Sequence, residues 1–304
     1  MDTSAALGPV VVGVDATTAG NRAVDWASDY ASVTGRRLLV VHGTGLPPVR
    51  PNAQDLLEAE RTVAEAAQWI VDAGVERALE RHPDLTVAGV AEVGDPPSVL
   101  LEEAKDAALL AVGSRRDESF KRLFGSVSLA ITRHATCPLV VVRPQAEGTP
   151  SPLHDRVVLG LDGTAASVRA AWFAFEYASL NNLPLVIVHA DQERLARGSA
   201  VLGLLSSGEE RGITEEEELT IAETIAGLPE RYPDVEFRES HRSADPAEAL
   251  VEASESAELV VVGARKMGSA KAILLRSVST ALVEHAHCPV AVVHAGSHRA
   301  DGSA

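Results

Sequence analysis

Cysteine is scarce in this chain. Its 304 residues include two, Cys137 and Cys288. They stand one per half at matching places of an internal repeat, so a disulfide framework is not implied. Basic residues are also in deficit: 27 Lys and Arg face 43 Asp and Glu, a net charge of −16. That balance argues against duplex nucleic acid and anionic membranes as partners. No apolar run approaches the roughly 20 residues that span a bilayer. The N-terminal MDTSAALG has neither the basic nor the apolar part of a signal peptide. A cytoplasmic protein is the expectation, with no nucleic acid or membrane partner. No serine lies in a nucleophile elbow. His134 and Cys137 in one half, and His285, His287 and Cys288 in the other, are fewer ligands per half than a closed zinc site needs. Neither a catalytic residue nor a metal site is therefore expected, and enzyme activity is not the expectation.

What is present is a repeat. The stretch from Ala108 to Pro144 returns in altered form from Glu258 to His294. Each copy opens on a short apolar run, Leu109–Val112 or Leu259–Val262, ending at Gly113 or Gly263. Such a run fits a parallel strand buried on both faces. A polar loop rich in Arg, Lys, Ser and Gly follows. A helix then opens at Ser126 or Ser277, where serine is a good N-cap. It closes on His134, or on His285 and His287, cations suited to the negative end of the helix dipole. Cys137-Pro138 or Cys288-Pro289 blocks further helix and starts the last strand. A glycine-edged loop feeding a helix N-terminus is suited to an anion.

The elements before this stretch repeat as well. Strands are expected at Pro9–Asp15, Arg37–His42 and Thr86–Glu92, and helices at Asn21–Thr34, Asp55–Arg81 and Ser98–Lys105. After a linker at Gln145–Asp155 the order restarts. Strands are expected at Val157–Asp162, Pro184–Ala190 and Val235–His241, with helices at Ala165–Asn181 and Thr214–Tyr232 and a third starting at Asp245. A tandem duplication follows, with domains at 1–148 and 149–304. Alternating strands and helices imply an α/β fold, two tandem parallel-sheet units with helices on both faces. Ligands of such open sheets lie beyond the carboxyl ends of the strands, at the switch point of strand order. That places Asp15, Val41-His42 and the Gly113 loop around one crevice. It places Asp162, Val188-His189 and the Gly263 loop around another.

The landmarks resemble those of the universal stress protein family, in its tandem form. They are Val12-Gly-Val-Asp15, Gly94-Asp-Pro96, Val112-Gly-Ser114, Gly125-Ser-Val-Ser128 and Arg133-His-Ala-Thr-Cys-Pro138 in the first half. In the second they are Leu159-Gly-Leu-Asp-Gly163, Asp245-Pro-Ala247, Val262-Gly-Ala264, Ser277-Val-Ser279 and Glu284-His-Ala-His-Cys-Pro289. The resemblance covers nearly all of both halves. It implies five-stranded Rossmann-like units of the adenine nucleotide α-hydrolase type. It also implies dimer-like pairing of two units, here within the chain or in a homodimer through the last strands. In one branch of the family it implies ATP binding, with magnesium accompanying the ATP.

That branch carries Gly-x2-Gly-x9-Gly followed by Ser or Thr. In the first half Gly113 and Gly125-Ser126 fit, Arg116 takes the second glycine position, and the loop is one residue short. In the second half Gly263 and Ser277 fit at the right spacing, but Lys266 and Arg276 replace glycines. A bare backbone can approach phosphate closely, whereas Arg and Lys reach it with their own charge. The candidate ligand-binding residues of the first half are Asp15, Val41, Gly113, Arg116, Gly125, Ser126 and Ser128. Those of the second half are Asp162, Val188, Gly263, Lys266, Ser277 and Ser279. Two functions stay open: a stress-response regulator that binds ATP or another adenine nucleotide, and a structural or interaction module of the same fold without one. The retained aspartates and Ser-x-Ser helix starts favour the first, and the lost glycines the second.

Overall fold

The structure, a computed structural model, describes residues 8–45, 54–114, 126–144, 155–190, 215–264 and 277–296, apart from the side chains of 54–60, 126, 216 and 217. The chain divides into two compact units, the first ending its main run at Pro144. In the first unit β1 (Val10–Gly13), α1 (Thr18–Thr34), β2 (Leu38–Gly43), α2 (Gln54–Arg81) and β3 (Val87–Glu92) are followed by α3 (Pro96–Glu103), β4 (Leu109–Gly113), α4 (Ser126–His134) and β5 (Leu139–Val142). Its strands lie in the order β3-β2-β1-β4-β5, every described pairing parallel. Strand order therefore reverses between β1 and β4.

The second unit repeats this with β6 (Val157–Gly160), α5 (Ala165–Asn181), β7 (Leu185–Ala190), α6 (Glu215–Thr224), α7 (Leu228–Arg231) and β8 (Phe237–Arg242). Then come α8 (Pro246–Ala253), β9 (Leu259–Ala264), α9 (Val278–His285) and β10 (Val290–His294). The order is β10-β9-β6-β7-β8, again parallel, with the reversal between β6 and β9. Val10 to Val12, Leu109 to Ala111, Val157 and Leu159 have no exposed surface. That explains why these strands read as unbroken apolar runs rather than alternating ones.

Contacts at the strand glycines show helices on both faces. A Cβ on Gly13 would stand 2.9 Å from Leu100 of α3, whereas one on Gly113 would stand 2.2 Å from the Ala19 carbonyl oxygen of α1. Gly13 shares a pairing level with Val112, so Gly113, one residue on, faces the opposite way. The second unit does the same. A Cβ on Gly160 would meet Leu250 of α8 at 2.7 Å, and one on Gly263 would meet the Ala166 carbonyl carbon of α5 at 2.7 Å.

The first helix of each unit starts as its sequence dictates. Thr17 and Thr164 are N-caps in extended conformation, accepting from the backbone N–H of Gly20 and Ser167. α1 ends at Gly35, whose φ of 64° suits a residue without Cβ. α1 and α3 start earlier than expected, because Thr17 and Asp95 cap them, whereas α8 starts as expected, at Pro246 behind the Asp245 cap. The acidic segment expected as one helix from Thr214 to Tyr232 is instead two. Gly227, with a φ of 77°, separates α6 from α7, and Pro229 stands in the first turn of α7. A glycine in the left-handed region ends a helix where a charge pattern alone would continue it.

Both cysteines are buried free thiols just before the last strand of their unit. Burial pushes the Cys137 thiol up to about 12, and it is 1% exposed. The expected linker, Gln145–Asp155, lies outside the described residues except for Asp155.

Candidate functional site

Asp15, Val41 and Gly113, and Asp162, Val188 and Gly263, lie at the carboxyl ends of the strands around each reversal of strand order. Pairing sets Val41, Gly13 and Val112 at one level across β2, β1 and β4. Asp15 follows on the connection to α1, and Gly113 ends β4. Val188, Gly160 and Val262 form the equivalent level, followed by Asp162 and Gly263. Gly113 and Gly263 are needed where they are for internal reasons: the backbone at the start of α1 or α5 lies against them, and any side chain would displace it. The Val41 carbonyl accepts from the Val14 N–H at 2.9 Å, and the Val188 carbonyl from the Leu161 N–H at 3.1 Å.

The two aspartates are the exposed acidic groups of this arrangement. Asp15 Oδ1 accepts from the Thr17 N–H at 3.2 Å and from the Thr17 hydroxyl. Asp162 Oδ1 accepts from the Thr164 N–H at 3.1 Å, from the Thr164 hydroxyl at 2.7 Å and from the Ser167 hydroxyl. Each carboxylate is thus held by the turn it begins, at the mouth of the crevice. Such a group accepts hydrogen bonds and repels anions.

A histidine stands beside each. His42 Nδ1 lies 2.7 Å from the Val14 carbonyl oxygen, and His189 Nδ1 lies 3.0 Å from that of Leu161. A carbonyl only accepts, so Nδ1 carries the proton, and Nε2 of a neutral ring is then an acceptor. The sequence placed both histidines at the crevice without a role; the recurring apolar-apolar-His end of the second strand is the signal that marks them. In the second unit His241 on β8 pairs with His189, their ring centroids 6.3 Å apart, where the first unit pairs His42 with Ala91.

The helix starts are partly described. Ser277 caps α9, its hydroxyl accepting from the Thr280 N–H at 3.2 Å. It also lies 2.7 Å from the Thr280 hydroxyl and 3.2 Å from that of Ser279. Ser279 and Ser128 are buried, so they sit within the fold rather than on its surface. Ser126 begins α4, but its side chain lies outside the described residues, as do Arg116, Gly125 and Lys266. Among the described residues, no group of three or more His, Cys, Asp or Glu could hold a metal ion, and no helix is long and apolar enough to cross a membrane.

Known proteins resemble this chain along nearly its whole length. The model of the universal stress protein family matches twice, at residues 7–143 and 154–294. A universal stress protein of Mycobacterium tuberculosis is 33% identical over 294 residues, covering 93% of this chain and 96% of its own. A second one from the same organism is 32% identical over 299 residues, covering 93% and 95%. The crystal structure of a universal stress protein from Archaeoglobus fulgidus superposes with a TM-score of 0.70 at 18% identity, covering 94% of this chain and 98% of that one. With two matches that span both units, the chain belongs to the universal stress protein family.

Proposed function

We propose that this protein is a stress-response regulator that binds an adenine nucleotide at the strand ends of its units. The observation that carries the reading is the paired constellation of Asp15 with His42 and Asp162 with His189, each beside a reversal of strand order. An adenine nucleotide offers donors in its ribose hydroxyls and exocyclic amine, which suit an acceptor-only carboxylate. Its phosphates then lie away from the aspartate, toward the backbone N–H groups at the start of α4 or α9. Magnesium enters only with a triphosphate. The chain's own contribution is binding and orientation, with hydrolysis slow at most.

Isothermal titration of the full chain with ATP, ADP and AMP tests this. Binding is expected below millimolar concentration. Asp15→Ala or Asp162→Ala should each weaken one class of site about tenfold or more, through a lost bond to a charged acceptor. No binding of any adenine nucleotide at millimolar concentration overturns the reading. The remaining reading is an interaction module. It is favoured by the internal duties of Gly113, Gly263 and Ser277, which packing and capping explain without a ligand.

A further inference from the structure

The two units hold their aspartates differently, and the difference lies at one position of the first helix. Along α1 and α5, Arg22, Ala23, Tyr30 and Ala31 match Arg169, Ala170, Tyr177 and Ala178. In that register Gly20 matches Ser167. Ser167 is 2% exposed, and its hydroxyl serves Asp162 twice. It donates to Asp162 Oδ1 and accepts from the Asp162 backbone N–H at 3.1 Å. This closed loop fixes the Asp162 side chain against its own backbone. With the two donors of Thr164, three hydrogen bonds converge on Oδ1. Their convergence sets where Oδ2 points.

In the first unit the hydroxyl is missing. A Cβ on Gly20 would stand 2.8 Å from Asp15 Oδ1, so the carboxylate leans into the space that the serine fills in the second unit. Asp15 Oδ1 accepts both its Thr17 bonds, and Gly20 brings no side chain to it.

We propose that Ser167 is a positioning residue for the Asp162 carboxylate, and that it makes the second unit discriminate toward the ribose hydroxyls of an adenine nucleotide. The inference rests on the nucleotide reading above. A carboxylate already aligned by buried donors loses little freedom when a diol binds, and that is where preorganisation adds to affinity. The advantage is read at the ribose hydroxyls, which a dideoxy nucleotide lacks while it keeps the base and the phosphate.

The test compares AMP with 2′,3′-dideoxy-AMP by titration calorimetry on the full chain. An Asp15→Ala background isolates the second unit, and an Asp162→Ala background isolates the first. The second unit should prefer AMP by about tenfold or more, the scale of a hydrogen bond to a charged group. Ser167→Ala should collapse that preference to about twofold while dideoxy-AMP binds as before. In the other background, Gly20→Ser should raise the preference of the first unit. A general loss of packing would weaken both ligands alike and leave their ratio unmoved. An unchanged ratio in Ser167→Ala overturns the role of Ser167 while leaving nucleotide binding intact. Absence of binding by the unsubstituted chain overturns the nucleotide reading itself, and this inference with it.

Discussion

Single residues in this fold carry meanings that their chemistry alone leaves ambiguous. A glycine closing an apolar strand and followed by a polar loop suggests a phosphate contact. The structure supplies a nearer cause at Gly113, since a Cβ there would stand 2.2 Å from the Ala19 carbonyl oxygen and 2.4 Å from its carbon. Backbone cannot yield as a flexible side chain does. Gly113→Ala should therefore cost about 3 kcal/mol, the upper range for overpacking. Gly35→Ala should cost only about 1 kcal/mol, because that glycine has a φ of 64° but nothing within 4 Å of its missing Cβ. Denaturant unfolding of both variants checks the contrast, and equal costs would mean that the close approach at Gly113 relaxes freely. The aspartates at the strand ends were legible in the sequence because they end an apolar run twice. The contacts around them were not: a buried serine bonded to Asp162 and a histidine bonded to a neighbouring backbone carbonyl depend on side-chain direction, which spacing does not encode.

At the scale of elements, periodicity and capping chemistry identified nearly every strand and helix, and the errors have local causes. The acidic segment read as one helix because its charges fit a solvated face, while Gly227 interrupts it. Cross-element ties were invisible in sequence. In the first unit two guanidinium forks join α2 to α1: Arg77 to Asp25 at 2.7 and 2.6 Å, and Arg81 to Asp29 at 2.5 and 2.7 Å. His82 adds a ring nitrogen 2.7 Å from Asp29. Burial pushes the Asp29 carboxyl up, but hydrogen bonds and charge from Arg81 and His82 outweigh it, so it lies below its ordinary value of 3.8. A carboxylate with a lowered folded pKa stabilises the fold above its unfolded value. That contribution fades as pH falls from about 4 through the lower folded value. Both partners are about half exposed, so the tie contributes about 0.5–1 kcal/mol. Asp29→Asn should lower the melting temperature at pH 7 and converge with the unsubstituted chain near pH 2. Thermal melts across that range decide it, and a gap that persists at pH 2 would assign the stabilisation to shape rather than charge.

The molecule as a whole is one plan executed twice, with the repetition legible in the sequence and the contacts made by its departures legible in the structure. Each unit keeps a parallel sheet with helices on both faces and a carboxylate at the reversal of strand order. Gly20 against Ser167 and Ala91 against His241 then make the two crevices chemically unequal. One buried feature bears on how such a protein meets oxidants. With burial holding its thiol at about 12, folded Cys137 stays protonated at neutral pH. It is the thiolate that attacks peroxide and electrophiles, so folded Cys137 is a poor sensor of either. A maleimide or disulfide reagent should leave it unmodified in the native protein and label it on opening, turning the cysteine into a clock for unfolding. Prompt labelling under native conditions would contradict this. With folded Cys137 silent, an oxidative signal must reach the protein by a route other than that sulfur.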